Sequence, residues 1–127
     1  MIVVDASAGV TGLLNDGPAR RWLGSDQLHV PHLIDSEVAS GLRRRPLSGE
    51  IGDQDGWRAL DTWRQLALTR YAAHTLLARV WDLRSNLAPY FAGYVALAEL
   101  LDCPLVTADA RLSRAPGAHC SLTGVPR

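Results

Sequence analysis

The sequence predicts an α/β fold in which a central parallel sheet of four to five short strands lies between layers of helices. Short apolar runs rich in β-branched residues alternate along the chain with segments of helical periodicity, as in parallel sheets. The most informative stretch runs from 87 to 112. It predicts a buried helix over Pro89–Leu101, a turn at Pro104 and an inner strand over Leu105–Thr107. Asp109 lies just past that strand, where open α/β folds place their ligands.

Length and composition favour a single domain spanning residues 1–127. The chain is 47% hydrophobic and 20% charged, as in ordinary globular proteins, and is long enough to form a core. Its formal net charge is zero, which excludes a global basic field, so any RNA contact must come from a local patch. We expect a cytoplasmic protein without membrane contact, since we find no secretory signal or bilayer-length apolar run, and Cys103 and Cys120 show no motif spacing.

The first half of the chain predicts two strands and three helices, in the order strand 2–4, helix 6–14, helix 18–23, strand 28–30 and helix 35–45. Asp5 ends the first strand, which is apolar on both faces and therefore expected to be covered on both. Pro18 suits the first turn of a helix. Asp35 is expected to be the N-cap of the third helix, and Pro46 is expected to end it.

The second half predicts the remaining elements, in the order helix from about 55, strand 66–71, helix from 75, helix 89–101, strand 105–107, helical turn 110–115 and edge strand 120–125. Ser48 or Asp53 is the expected N-cap of the first of these helices, and Thr75 that of the second. Trp57 and Trp63 fall roughly on one helix face with Leu60 between them, a stripe that we interpret as core rather than as a binding site.

Three carboxylates are predicted to share one edge of the sheet. Asp5 follows the first strand, Glu37 opens the helix after the second, and Asp109 follows the strand after the buried helix. Each could simply cap a helix or complement its dipole. Together, like charges would raise one another's pKa unless a cation neutralised them, and oxygen ligands without His or Cys suit Mg²⁺ or Mn²⁺. Such an ion can activate water and neutralise charge on a phosphodiester.

Several polar residues near these acids are candidates for auxiliary roles. Ser7 and Thr107 could hydrogen-bond a metal-bound water or a phosphate, or could be ordinary helix-start and strand-end residues. Arg43 and Arg44 could contact RNA phosphates, although cations at a helix C-terminus also complement its dipole. Arg111, two residues from Asp109, is a further candidate for RNA contact.

Three segments carry a family resemblance: IVVDASA, PHLIDSEVASGLRR and YFAGYVALAELLDCPLVTADARL. They resemble the PIN domain of VapC-type toxins from type II toxin–antitoxin systems, over essentially the whole chain. The resemblance implies a three-layer α/β/α fold and an endoribonuclease that depends on Mg²⁺ or Mn²⁺ and cuts RNA such as tRNA or rRNA. It also implies a homodimer and a VapB-type antitoxin that covers the active site. Asp5, Glu37 and Asp109 match three of the family acids.

One family acid is missing. Where the family has Tyr-Asp-Ala, this chain has Tyr90-Phe91-Ala92, and a phenyl ring cannot coordinate Mg²⁺. Glu99 lies eight residues along, ~12 Å away by helix rise, and is no evident substitute. We therefore expect metal binding and cleavage to be much weakened. The alternative function is a catalytically impaired PIN domain that acts as an antitoxin- and RNA-binding homodimer.

Overall fold

A five-stranded parallel sheet forms the centre of the fold in a computed structural model. The structure describes residues 1–127, except for the side chains of residues 46–48. The strand order is β3-β2-β1-β4-β5, and each strand is parallel to its neighbours. The strands are β1 Ile2–Val4, β2 Leu28–Pro31, β3 Leu68–Tyr71, β4 Leu105–Thr107 and β5 Leu122–Gly124.

Helices cover both faces of this sheet, which confirms the predicted three-layer α/β/α architecture. The helices are α1 Ala6–Leu14, α2 Pro18–Ser25, α3 Ile34–Ser48, α4 Asp53–Gln65, α5 Leu77–Asp82 and α6 Pro89–Leu101. Short 3₁₀ turns lie at Ala73–Leu76 and Leu112–Arg114. Helices α1 to α4 pack against one another as one layer, and α5 packs against α6 in the other.

The sheet reverses its winding between β1 and β4. From β1 the chain proceeds outward through β2 and β3, then returns to place β4 and β5 on the other side of β1. Val4 pairs with Val106, so the next residues, Asp5 just after β1 and Thr107 at the end of β4, lie side by side. Diverging connections at such a reversal open a crevice at the carboxyl ends of the strands.

The core is built on β1, β4 and α6. The side chains of β1 and β4 are buried throughout, and seven residues of α6 are buried, because this helix lies across the sheet with apolar residues on most of its faces. The expectation that α6 has no exposed face is wrong at its ends, since Tyr90 is 66% exposed and Leu100 is also exposed. None of the helices described is both long and apolar enough to cross a bilayer.

Several expected helix boundaries are wrong. The third helix starts at Ile34, one residue before Asp35, and continues past Pro46 to Ser48. The N-cap of α4 is Gly52 rather than Ser48 or Asp53. Thr75 lies inside a 3₁₀ turn, where its hydroxyl donates to the carbonyl of Ala72 at 2.9 Å instead of capping a helix.

Asp35 binds distant partners instead of capping its helix. Its carboxylate accepts hydrogen bonds from the indole N–H of Trp63 at 2.9 Å and from Arg70 at 2.8 and 3.0 Å. Trp63 is buried, whereas Trp57 is 55% exposed, so the predicted core stripe on α4 is only partly correct. The carboxylate of Asp35 thus joins α3 to both α4 and β3.

Replacement of Asp35 by Ala is expected to destabilise the fold by about 1–3 kcal/mol, because it leaves the buried indole N–H of Trp63 without its acceptor. Urea unfolding monitored by tryptophan fluorescence measures this loss. The Arg70 guanidinium lowers the pKa of Asp35 below 3.8, so the difference from wild type is full above that pH and shrinks as the pH falls below it.

The matched control is Asp61→Ala. Asp61 lies in an exposed pair with Arg64 on α4, and exposed pairs contribute little to stability. Equal unfolding midpoints for Asp35→Ala and wild type would contradict the role assigned to Asp35.

Candidate active site

Asp5 is the most constrained acid at the crevice between β1 and β4. It is 3% exposed and is the N-cap of α1, where one carboxylate oxygen accepts from the backbone N–H of Ala8 at 2.9 Å and from the hydroxyl of Ser7 at 2.7 Å. The other oxygen accepts from the hydroxyl of Thr107 at 2.5 Å. Burial raises the pKa of Asp5 despite these three donors, with a smaller contribution from the negative charge of Asp109.

Ser7 and Thr107 tie the start of α1 to the end of β4. Besides donating to Asp5, the Ser7 hydroxyl accepts from the backbone N–H of Ala108 at 2.9 Å, and the Thr107 hydroxyl accepts from that of Asp109 at 3.1 Å. Both hydroxyls therefore have their donor and acceptor functions used within the protein. In this arrangement they orient Asp5 and the segment that carries Asp109.

Glu37 lies in the first turn of α3, half-buried, and is held by a tyrosine from α6. The hydroxyl of Tyr94 donates to its Oε1 at 3.0 Å. Burial raises the pKa of Glu37, and the negative charge of Asp5 adds to this effect. Burial and the adjacent carboxylate of Glu37 raise the pKa of Tyr94 in turn, so its hydroxyl remains a proton donor. The role of Tyr94 was not predicted from the sequence, in which its only signal was its place within α6.

Asp109 lies at the carboxyl end of β4, but its carboxylate is turned toward Arg111. It accepts from the backbone N–H of Arg111 at 2.9 Å and pairs with the guanidinium at 3.3 Å. These contacts lower the pKa of Asp109. Arg111, the predicted RNA contact, is itself 88% exposed, so the pair sits at the rim of the crevice.

The three acids share one edge of the sheet, as predicted, although each has separate hydrogen-bond partners. Asp5 lies near both others, since Asp109 raises its pKa and Asp5 raises that of Glu37. Within the described part of the chain, no three His, Cys, Asp or Glu side chains are grouped closely enough to share a metal ion. Mg²⁺ commonly takes one or two protein carboxylates and keeps several waters. By donor chemistry, Asp5 and Glu37 suit such an ion, and the metal role of all three acids stays a prediction.

Phe91 lies in the first turn of α6, one turn before Tyr94, and is 6% exposed. It belongs to the apolar core and adds no oxygen ligand to the crevice. Glu99 does not replace the missing acid, because its carboxylate is bound by Arg79 at 2.6 Å and by the backbone N–H of His119 at 2.7 Å.

Basic residues border the crevice on the side of α3. A cavity of about 250 Å³ has Ser7, Glu37, Arg44, Arg45 and Arg127 in its lining. Arg43, the other predicted RNA contact on α3, is exposed and does not line this cavity. Arg127 belongs to no recognisable motif, so its place at the cavity was not predicted from the sequence.

Comparisons with known proteins agree on one family. The PIN domain model matches residues 2–118. Ribonuclease VapC9 of Mycobacterium tuberculosis strain H37Rv is 58% identical over 127 residues, which cover 100% of both chains.

Solved structures show the same fold at lower identity. The M. tuberculosis toxin VapC20, described as cleaving the sarcin–ricin loop, matches with a TM-score of 0.64 and 17% identity over 89% of this chain and 93% of its own. A toxin–antitoxin complex from Klebsiella pneumoniae contains a chain that matches with a TM-score of 0.65 and 17% identity over 93% of this chain and 94% of its own. From the extent of the family match and the 58% identity of a full-length relative, this chain belongs to the PIN-domain family, within its VapC group.

Proposed function

We propose that this protein is the toxin component of a type II toxin–antitoxin system and an Mg²⁺- or Mn²⁺-dependent endoribonuclease whose activity is weakened by Phe91. The observation that carries the proposal is the buried carboxylate of Asp5, with the charges of Glu37 and Asp109 beside it at the carboxyl edge of the sheet. A relative at 58% identity is named a ribonuclease, and VapC20 is described as cleaving the sarcin–ricin loop, which supports RNA as the substrate class.

Of the three predicted ligands, Asp5 and Glu37 are the residues that would hold the ion, and Asp109, whose carboxylate is bound by Arg111, would add its negative charge from the rim of the crevice. Bound there, Mg²⁺ or Mn²⁺ would supply water of lowered pKa and neutralise charge on a phosphodiester. The protein's own contribution is orientation: Ser7 and Thr107 fix the carboxylate of Asp5, and Tyr94 fixes that of Glu37. Since the two hydroxyls donate to Asp5, we assign Ser7 and Thr107 to positioning rather than to direct contact with phosphate.

The proposed partners are a VapB-type antitoxin, a second copy of the chain, and tRNA or rRNA in the cytoplasm. The fold match to a chain of the Klebsiella toxin–antitoxin complex is compatible with an antitoxin partner. An apolar cavity of about 310 Å³ beside Glu37 is bordered by the exposed side chains of Leu33, Leu77 and Tyr90. An antitoxin segment that filled this cavity would also cover Glu37.

The second candidate function is a catalytically impaired PIN domain that binds antitoxin and RNA as a homodimer. The observation that favours it is Phe91, buried in the core at the position of a family acid. In that case the site would bind antitoxin and RNA through its remaining acids, their hydrogen bonds and the apolar cavity.

Replacement of Asp5 by Asn is expected to weaken Mn²⁺ binding and RNA cleavage by about tenfold or more, because the charge is lost while Asn preserves the size and the helix cap. Calorimetric titration of the chain with Mn²⁺ and a cleavage assay on total RNA measure the two effects. Asp109→Asn is expected to act in the same direction.

The matched control is Asp102→Asn, at an exposed left-handed position after α6 that Asn adopts equally well. Mn²⁺ binding that is the same in Asp5→Asn, Asp109→Asn and wild type would show that the acids only cap helices, and the proposed metal-dependent activity would be wrong.

Replacement of Phe91 by Asp is expected to raise the rate of RNA cleavage by about tenfold or more, because it restores the missing family carboxylate. Even groups that only support metal ligands typically change metal affinity or activity by about tenfold or more. Cleavage rates at saturating Mn²⁺ measure the gain. Phe91→Asn controls for the loss of the buried ring, and thermal unfolding of both variants checks that they fold. If Phe91→Asp and wild type cut RNA equally fast, Phe91 does not impair the enzyme, and the second candidate function loses its support.

A further inference from the structure

The cavity of about 250 Å³ lined by Ser7 and Glu37 has charges of both signs in its lining. Glu37 supplies the negative charge, and Ser7 links the cavity to Asp5 through its hydrogen bond. Arg44 and Arg127 supply positive charges. An anion brought to the acids by a neutralising cation would therefore meet guanidinium groups in the same cavity.

Arg127 reaches this cavity because β5 runs parallel to β4. The carboxyl end of β5 therefore lies at the same sheet edge as the acids, and the backbone N–H of Val125 donates to the carbonyl of Thr107 at 2.8 Å. The chain then crosses that edge, and Nε of Arg127 donates to the carbonyl of Ala108 at 3.3 Å. The N–H of Ala108 already donates to Ser7, so one peptide segment holds Arg127 in place beside the acid crevice.

Arg44 reaches the cavity along α3. It lies seven residues after Glu37, which is two helical turns, so the two side chains share one face of the helix. Its guanidinium is exposed and is 3.4 Å from the hydroxyl of Ser40. Arg45 also borders the cavity, but its guanidinium donates to the carbonyl of Gly41 at 2.7 Å and lies 3.7 Å from Glu50.

Arg44 and Arg127 are not committed to internal ion pairs. Neither is paired with a carboxylate among the side chains that the structure describes. Two guanidinium groups with unused charge at the rim of a cavity suit a phosphate, whose oxygens accept several of their fixed N–H donors.

We propose that Arg44 and Arg127 form a phosphate-binding subsite that holds the RNA strand at a phosphate next to the one presented to the acids. This subsite rests on the proposed function, because the strand that it would bind is the RNA proposed there as the substrate. Arg127 is a positioning residue in this scheme: it binds the strand and takes no part in bond cleavage.

The test measures the binding constant of a fluorescein-labelled single-stranded RNA by fluorescence anisotropy at a series of salt concentrations. EDTA is present so that no cleavage occurs. Arg127→Gln and Arg44→Gln are each expected to weaken binding several-fold. Each is also expected to reduce the slope of log K against log salt concentration by about 0.7, the value for one lost phosphate contact on a single strand. Arg127→Lys is expected to restore most of the slope, because it keeps the charge.

Arg21→Gln is the matched control, since Arg21 is an exposed arginine on α2 that does not line the cavity. Thermal unfolding of Arg127→Gln checks that loss of the bond to Ala108 leaves the fold intact. An unchanged salt slope in both Arg127→Gln and Arg44→Gln, or an equal loss in Arg21→Gln, would overturn the subsite. An oligo-glutamate that bound with the same dependence on the arginines would overturn its assignment to phosphate.

The same preparations separate this proposal from the proposed function. If wild type cuts RNA in Mn²⁺ but its RNA affinity does not depend on Arg127, the subsite is wrong and the nuclease stands. If RNA affinity depends on Arg127 but no RNA is cut even by Phe91→Asp, the subsite stands and the nuclease is wrong.

Discussion

The arrangement of the site depends on one buried carboxylate. Asp5 leaves the sheet next to Thr107 because Val4 and Val106 are paired in neighbouring parallel strands. Its oxygens then accept from Thr107 at the end of β4 and from Ser7 and Ala8 in the first turn of α1, so a single side chain sets the start of a helix and the spacing of two strand ends. A buried carboxylate is costly unless its oxygens are bound, and here three donors offset only part of that cost. The negative charge of Asp5, with that of Glu37 beside it, is what makes the crevice suited to a cation.

Local features of the sequence predicted much of the fold. Helix α6 was recognisable because its long run, which begins at Pro89, is apolar except at Gly93 and Glu99, and strand β4 because its short run follows the turn at Pro104; the structure has the same bounds for both. Asp35 was misassigned because its partners, Trp63 and Arg70, lie 28 and 35 residues away, and nothing near Asp35 distinguishes such a residue from a helix cap.

At the site too, features set by neighbouring residues could be predicted, and features set by residues far apart in sequence could not. Asp5, Glu37 and Asp109 could be placed at one sheet edge because each follows a strand or opens the helix after it. The hydrogen bond of Tyr94 to Glu37 and the approach of Arg127 to the cavity depend on packing between segments far apart in sequence. Parallel pairing of β5 with β4 was the one signal for Arg127, since it sends the residues after β5 toward that edge.

Because Asp109 is paired with Arg111, a change in ionic strength affects this crevice in two opposing ways. The guanidinium of Arg111 is almost fully solvated, so dissolved ions screen its attraction to Asp109 and leave that carboxylate held by the backbone N–H of Arg111. The same ions compete with a polyanion for the arginines around the crevice. Low ionic strength therefore favours binding of a nucleic acid but keeps Asp109 paired with Arg111. High ionic strength weakens both interactions.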